Sequence, residues 1–115
     1  MARLEVKGLD KLEKKLKDNV TMDDVKQIVK TNGGQLQAKM QRNADFKKGY
    51  ATGTTKRSIG LEMQDSGFAA EVAPTTEYSP YLEYGTRFME AQPFVRPAYE
   101  QQATKFKSDM QKLVR

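Results

Sequence analysis

The sequence predicts an α+β fold: a small antiparallel sheet of three to four strands packed against two or three α-helices, in a single domain over residues 1–115. Three observations carry that reading. Apolar residues alternate with polar ones at the start of the chain and again over residues 59–72, the period of half-buried strands. Elsewhere apolar positions recur at spacings of three and four, the stripe of an amphipathic helix. The chain is also short and polar, with 115 residues, 30% of them charged, and a mean hydropathy of −0.78. A chain of this size buries roughly two-thirds of its unfolded surface, so the core must be thin.

Leu4 and Val6 alternate with charges and predict a short opening strand, which Gly8 breaks. Leu9, Leu12 and Leu16 follow at helical spacing with lysines on the other face, and Asn19 marks the turn that ends this helix. Thr21 is placed to cap the next helix, with Asp23 and Asp24 in its first turn. There Met22, Val25, Val29, Gly33, Leu36 and Met40 form one stripe. Asn32-Gly33-Gly34 also reads as a helix stop. Because Gly33 lies on the stripe itself, one long helix pressed closely against the sheet is the preferred reading. Residues 43–53 form a loop. Ile59, Leu61 and Met63 then alternate, Asp65-Ser66-Gly67 turns, and Phe68, Ala70 and Val72 alternate back, which predicts a β-hairpin with one apolar face.

Residues 78–98 are rich in aromatics and carry three prolines and one glycine. Ser79 and Pro80 start a short helix and Gly85 ends it, while Pro93 and Pro97 hold the chain extended around Phe94 and Val95. Tyr81, Leu82 and Tyr84 give that turn apolar faces, so the segment reads as a contact surface or a core plug, with Phe94 as its buried ring. Pro97 opens a last helix whose stripe, Tyr99, Ala103, Phe106, Met110 and Leu113, is expected to be core.

No chemistry is expected. The chain has no cysteine and no histidine, hence no thiolate, no imidazole base and no soft metal site. Asp23 and Asp24 are adjacent and point apart on a helix, and Gly33-Gly34 and Gly49 with Gly53 lack the spacing of a phosphate-binding loop. Glu83 reads as a solvent or interface carboxylate and Thr86 as a hydroxyl satisfying backbone at the helix end. No catalytic, cofactor or metal residues are therefore assigned. No apolar run approaches membrane-spanning length and residues 1–10 lack a signal-peptide core, so no membrane contact and a cytoplasmic site of synthesis are expected.

Charge is distributed in blocks. Residues 1–57 hold fourteen Lys/Arg against seven Asp/Glu, residues 58–100 two against seven, and residues 101–115 four against one, giving +7, −5 and +3. Such a chain pairs its halves internally or sets one subunit's basic surface against a neighbour's acidic one. Lys47, Lys48, Lys56 and Arg57 flank Phe46 and Tyr50, a mixture that single-stranded nucleic acid uses. A basic nucleic-acid-binding domain is therefore the alternative reading. A loop that orders against a partner is the preferred one.

Two stretches resemble a known family. Tyr81-Leu82-Glu83-Tyr84-Gly85-Thr86, followed by Ala91-Gln92-Pro93-Phe94-Val95-Arg96-Pro97-Ala98, is similar to the signature of the tail-completion (head–tail joining, neck) proteins of long-tailed bacteriophages. Thr52-Gly53-Thr54-Thr55-Lys56-Arg57-Ser58-Ile59 resembles the family's upstream motif, with Thr55 where leucine is commoner. The resemblance implies that the motif residues Tyr81, Glu83, Tyr84, Gly85, Thr86, Gln92, Pro93, Phe94, Arg96 and Pro97 serve assembly. It implies a structural virion protein that forms a homo-oligomeric, hexameric ring around the DNA channel, with non-specific contact to that DNA. Its expected partners are the head-completion or connector proteins and the tail tube or tail terminator. Its expected location is the neck or tail of a virion assembled in the bacterial cytoplasm.

Overall fold

A computed structural model of the protein describes residues 2–44, 57–74, 84 and 94–114. In chain order these form β1 (Ala2–Glu5), α1 (Leu9–Lys15), α2 (Met22–Asn43), β2 (Gly60–Gln64), a 3₁₀ turn (Asp65–Gly67), β3 (Ala69–Ala73) and α3 (Arg96–Gln111). The architecture is α+β, as the periodicities predict. The three strands form one antiparallel sheet in the order β1-β3-β2, with the hairpin's second strand at the centre.

Register sorts the strand residues by face. On the central strand Val72 pairs with Ala2 on one side and Leu61 on the other, and Ala70 with Leu4 and Met63, and this apolar face turns to the helices. Arg3, Glu71 and Glu62 share the opposite, polar face. Val6 lies one residue beyond β1, yet its N–H still donates to the Phe68 carbonyl at 2.9 Å. The hairpin turn needs left-handed backbone at Asp65, Ser66 and Gly67, with φ of 53°, 58° and 99°, so a glycine and two small polar residues occupy it.

Helix α1 is shorter than its apolar spacing predicts. It stops at Lys15, and Leu16 turns extended and forms an isolated bridge with Val114 instead. The Lys17 N–H donates to the Leu113 carbonyl at 2.8 Å, which fastens this corner to the end of the chain. Asn19 sits in the following turn at φ 70°.

Helix α2 is continuous through Asn32-Gly33-Gly34, so these residues are no helix stop. At its start Asp24 accepts the Thr21 N–H at 2.8 Å, and Asp23 and Asp24 place negative charge against the helix N-terminus. Val25, Val29, Gly33, Leu36 and Met40 are buried as the stripe requires, while Met22 is only half-buried. A Cβ at Gly33 would lie 2.9 Å from the Ala70 Cβ and 3.0 Å from the Leu61 Cδ1, closer than side chains approach. Glycine at this point lets the helix sit directly on β2 and β3.

The core cluster gathers Ala2 and Leu4 of β1, Leu36 and Met40 of α2, Ile59, Val72 of β3, and Phe94, Val95 and Ala98 at the start of α3. Phe94 is the largest of the fully buried side chains. Helix α3 departs from its expected stripe. Its fully buried positions are Ala98 and Gln102, whereas Tyr99 is exposed and Ala103, Phe106, Met110 and Leu113 are half-buried. The helix is rotated so that one row of its own residues, polar Gln102 included, faces α2.

Candidate assembly surface

Of the motif residues that the sequence singled out, Tyr84, Phe94, Arg96 and Pro97 are described. Tyr81, Glu83, Gly85, Thr86, Gln92 and Pro93 lie outside the described residues, as do Lys47, Lys48 and Lys56 of the basic loop. The four take different environments. Phe94 is inside the protomer, in contact with the sheet and α2. Pro97 opens α3, where its missing N–H leaves no helical bond unmade. Arg96 is exposed, with its Nε 3.0 Å from Glu100 Oε1 one turn along the helix. Tyr84 is 83% exposed, the most exposed large hydrophobic side chain among the described residues. Arg57 is also exposed, while two residues on Ile59 is buried and its carbonyl accepts the Gln37 side-chain N–H at 2.9 Å.

Three surfaces surround this core. The first is the polar face of the sheet, organised by Arg3. Its guanidinium donates to Glu5 at 3.2 Å, to Asp65 at 2.8 Å and to Gln64, and lies 3.8 Å from Glu71. Arg3 of the basic first block thus pairs with Asp65 and Glu71 of the acidic hairpin inside one protomer, the internal form of the charge blocks seen in the sequence. The Arg3 hydrogen bond, helped by Lys7, holds the Glu5 carboxyl below its ordinary range.

The second is the seam between α2 and α3, and it is polar. Asn32 and Gln102 are both fully buried. The Asn32 Nδ2 donates to the Ile28 carbonyl at 3.0 Å and to Asp109 Oδ2 at 3.1 Å, and Lys105 Nζ donates to the same carboxylate at 2.7 Å. The Gln102 Nε2 donates to Asn32 Oδ1 and, at 3.0 Å, to Gln35 Oε1. A carbonyl and a carboxylate can only accept, so they fix which end of Asn32 points which way, and Asn32 in turn fixes Gln102. That leaves the Gln102 Oε1 buried with no hydrogen-bond partner among the described residues. Hydrogen bonds from Lys105 first and Asn32 second hold the Asp109 carboxyl below its ordinary range.

The third is an open groove of about 410 Å³ between β1's exit, α1 and the C-terminal half of α3. Leu12, Phe106, Met110 and Val114 line it, with Lys7 and Lys107 among its polar residues. Phe106 and Met110 belong to the stripe expected to be core; their partial exposure is the groove itself. The sequence gives no sign of the groove or the seam beyond the polar Asn32 and Gln102 within otherwise apolar rows.

Among the described residues there is no cluster of acidic, histidine or cysteine side chains able to hold a metal ion, and no helix is long and apolar enough to cross a membrane. Among the described residues the arrangement offers an exposed aromatic, a charged sheet face and an apolar groove. Residues 7–85 match the family described as "Bacteriophage HK97-gp10, putative tail-component". The match covers more than half of the chain, from α1 through the hairpin to Gly85, and the chain belongs to this HK97-gp10-like family of phage tail components. A tail component is part of the virion. Phe94 and α3 lie beyond the matched span. No curated protein and no solved structure gives a match.

Proposed function

We propose that this tail component completes the tail and joins it to the head, acting as a closed ring of six copies around the DNA channel. The ring would form in the host cytoplasm and bridge the tail tube or terminator to the connector or head-completion proteins. Family membership over residues 7–85 is the observation that carries the reading. The protomer adds two supports. Its charge runs in blocks of opposite sign, and its exposed aromatic and its apolar groove are different patches, the kind of unlike pair that head-to-tail contacts in rings use.

Native mass spectrometry of the chain, alone and with the adjacent neck and tail proteins, tests this. A ring-sized species, formed without nucleic acid, is the expected result. A chain that stays monomeric with every neck and tail protein, but retains oligonucleotide with a steep salt dependence, would instead be a nucleic-acid-binding domain using Lys47, Lys48, Lys56 and Arg57.

A further inference from the structure

We propose that the groove between α1 and the C-terminal half of α3 receives the Tyr84 side chain of the adjacent copy, and that this is the contact that closes the ring. The inference rests on the ring reading and names its interface.

The groove suits an aromatic side chain. It is a shallow, open depression of about 410 Å³, enough to seat one aromatic ring against its surface. Its floor, Leu12, Phe106, Met110 and Val114, is apolar and includes a thioether, which packs well against ring edges. One end is fixed by the Leu16–Val114 bridge, so the cleft between α1 and α3 is held open by backbone rather than by side chains alone. In the protomer Tyr84 is 83% exposed, so the groove is not filled by the chain's own tyrosine. Tyrosine is among the residues that anchor interfaces by inserting into such pockets, because its large ring is ordered at the cost of only two torsions.

Charge is complementary. Residues 75–90, which surround Tyr84 in sequence, carry Glu77, Glu83 and Glu90 against Arg87 alone. The groove carries Lys7 and Lys107, and its one acid, Glu5, is already shared between Arg3 and Lys7. Lys107 has no ion-pair partner among the described residues. A second copy therefore offers what the groove lacks: an exposed ring within a stretch of sequence that is net acidic. Because donor and acceptor are different patches, each copy gives to one neighbour and takes from the other, and the contact propagates until it closes.

The chain contains no cysteine, so introduced thiols report one contact each. Tyr84→Cys and Lys107→Cys are both at exposed positions and should fold as the parent does. The double variant, oxidised after assembly, should yield a ladder of covalent multimers, whereas a mixture of the two single variants should yield covalent dimers and nothing larger. Arg42→Cys in place of Lys107→Cys is the control. Gln102 reaches Gln35 as well as Asn32, whereas Asp109 bonds Asn32, one turn nearer the start of α2, so α3 runs antiparallel to α2 and its C-terminal half lies far from Arg42. Rings that assemble without the Tyr84–Lys107 cross-link, or that cross-link equally through Arg42, would overturn this contact and leave the ring intact. A disulfide within single copies would assign the groove to the chain's own tyrosine and also overturn it. Failure of the parent chain to self-associate with any neck or tail protein would remove the ring reading, and this inference with it; a parent that forms rings while the Tyr84→Cys variants do not would show the loss of the anchoring ring that the contact predicts.

Discussion

Helix α2 meets the sheet along one side and α3 along another, and the two contacts are held by different chemistry. Against the sheet it presents Val25, Val29, Gly33, Leu36 and Met40, and the fit is so close that a glycine is needed opposite Ala70 and Leu61. Against α3 it presents Asn32 and Gln35, which take hydrogen bonds in a fixed direction from Gln102, while Asn32 donates onward to Asp109. An apolar contact is non-directional and tolerates sliding; a chain of buried donors and acceptors is satisfied in one register only. The first supplies adhesion and the second sets where α3 lies along α2. Because α3 forms one wall of the groove, the seam also sets the shape of the proposed interface.

The largest effect belongs to the apolar side. Phe94→Ala should destabilise the protomer by about 3–5 kcal/mol, since the ring is fully buried among residues of all the packed layers. Thermal melts beside size measurements check it. A variant that melts like the parent but no longer assembles would move Phe94 from the core to an interface and dissolve the contrast.

Gly33→Leu should follow, at roughly 1–3 kcal/mol from overpacking against Ala70, whose Cβ is backbone-fixed and cannot turn away. Gly33→Ala should cost less, because the helix gains about 1 kcal/mol in propensity on losing a mid-helix glycine. Chemical denaturation of both variants tests the order. A stabilised alanine variant would show that the sheet yields by a few tenths of an ångström.

How much was legible in the sequence follows the same division. The strands and the uninterrupted α2 come from apolar period, the hairpin turn from Asp65-Ser66-Gly67 and the burial of Phe94 from the prolines that flank it, all local properties of the chain. Gly33 was readable because it interrupts nothing: it occupies a stripe position. The span of α3 follows from its apolar row, and Phe106 of that row packs against the core, but the most deeply buried row is a different one. Its apolar row, Tyr99 to Leu113, is a good stripe, but the row that faces α2 holds Ala98 and Gln102, and Gln102 has a partner seventy residues away that no period encodes. The groove escaped for the same reason, since Phe106 and Met110 look like core until the rotation of α3 leaves them half-covered. The aromatic motif was readable as sequence, yet of its residues Tyr84 and Phe94 have opposite fates, one out in solvent and one in the core.

On the polar side, Gln102→Leu should cost about 1–2 kcal/mol. It strips a donor from the buried Asn32 Oδ1, but also removes the unpartnered Gln102 Oε1, so the two terms offset in part. Asn32→Leu combined with Gln102→Leu should recover much of the loss, because apolar groups on both sides leave nothing buried and unpaired between α2 and α3. Measured as a double-mutant cycle, additive losses would show that the two amides are not coupled and that the seam is no single unit.

The smallest effect is the seam's response to acid. Lys105 and, less strongly, Asn32 hold the Asp109 carboxyl below its ordinary value, so the folded protein favours the ionised form more than the unfolded chain does. The sign follows: this contribution is complete above the unfolded carboxyl value near ~3.9 and is lost as pH falls through the lower folded value. Lys105 is 45% exposed, which places the pair among partly solvated i,i+4 pairs worth about 0.3–0.5 kcal/mol. Glu5 is shifted in the same direction and adds to the acid sensitivity of the parent, so the measurement must be a difference. Stability of Asp109→Asn should fall below the parent at neutral pH by a few tenths of a kcal/mol, with the gap closing as pH falls below the ordinary carboxyl value of about 3.9. The asparagine oxygen can still accept from Asn32, so the register of α3 should survive and assembly should be unchanged. Parallel curves over that window would mean that Lys105 contributes nothing through the carboxylate's charge. A loss of assembly at neutral pH would mean that the polar seam tunes the groove more sharply than a single exposed ion pair allows.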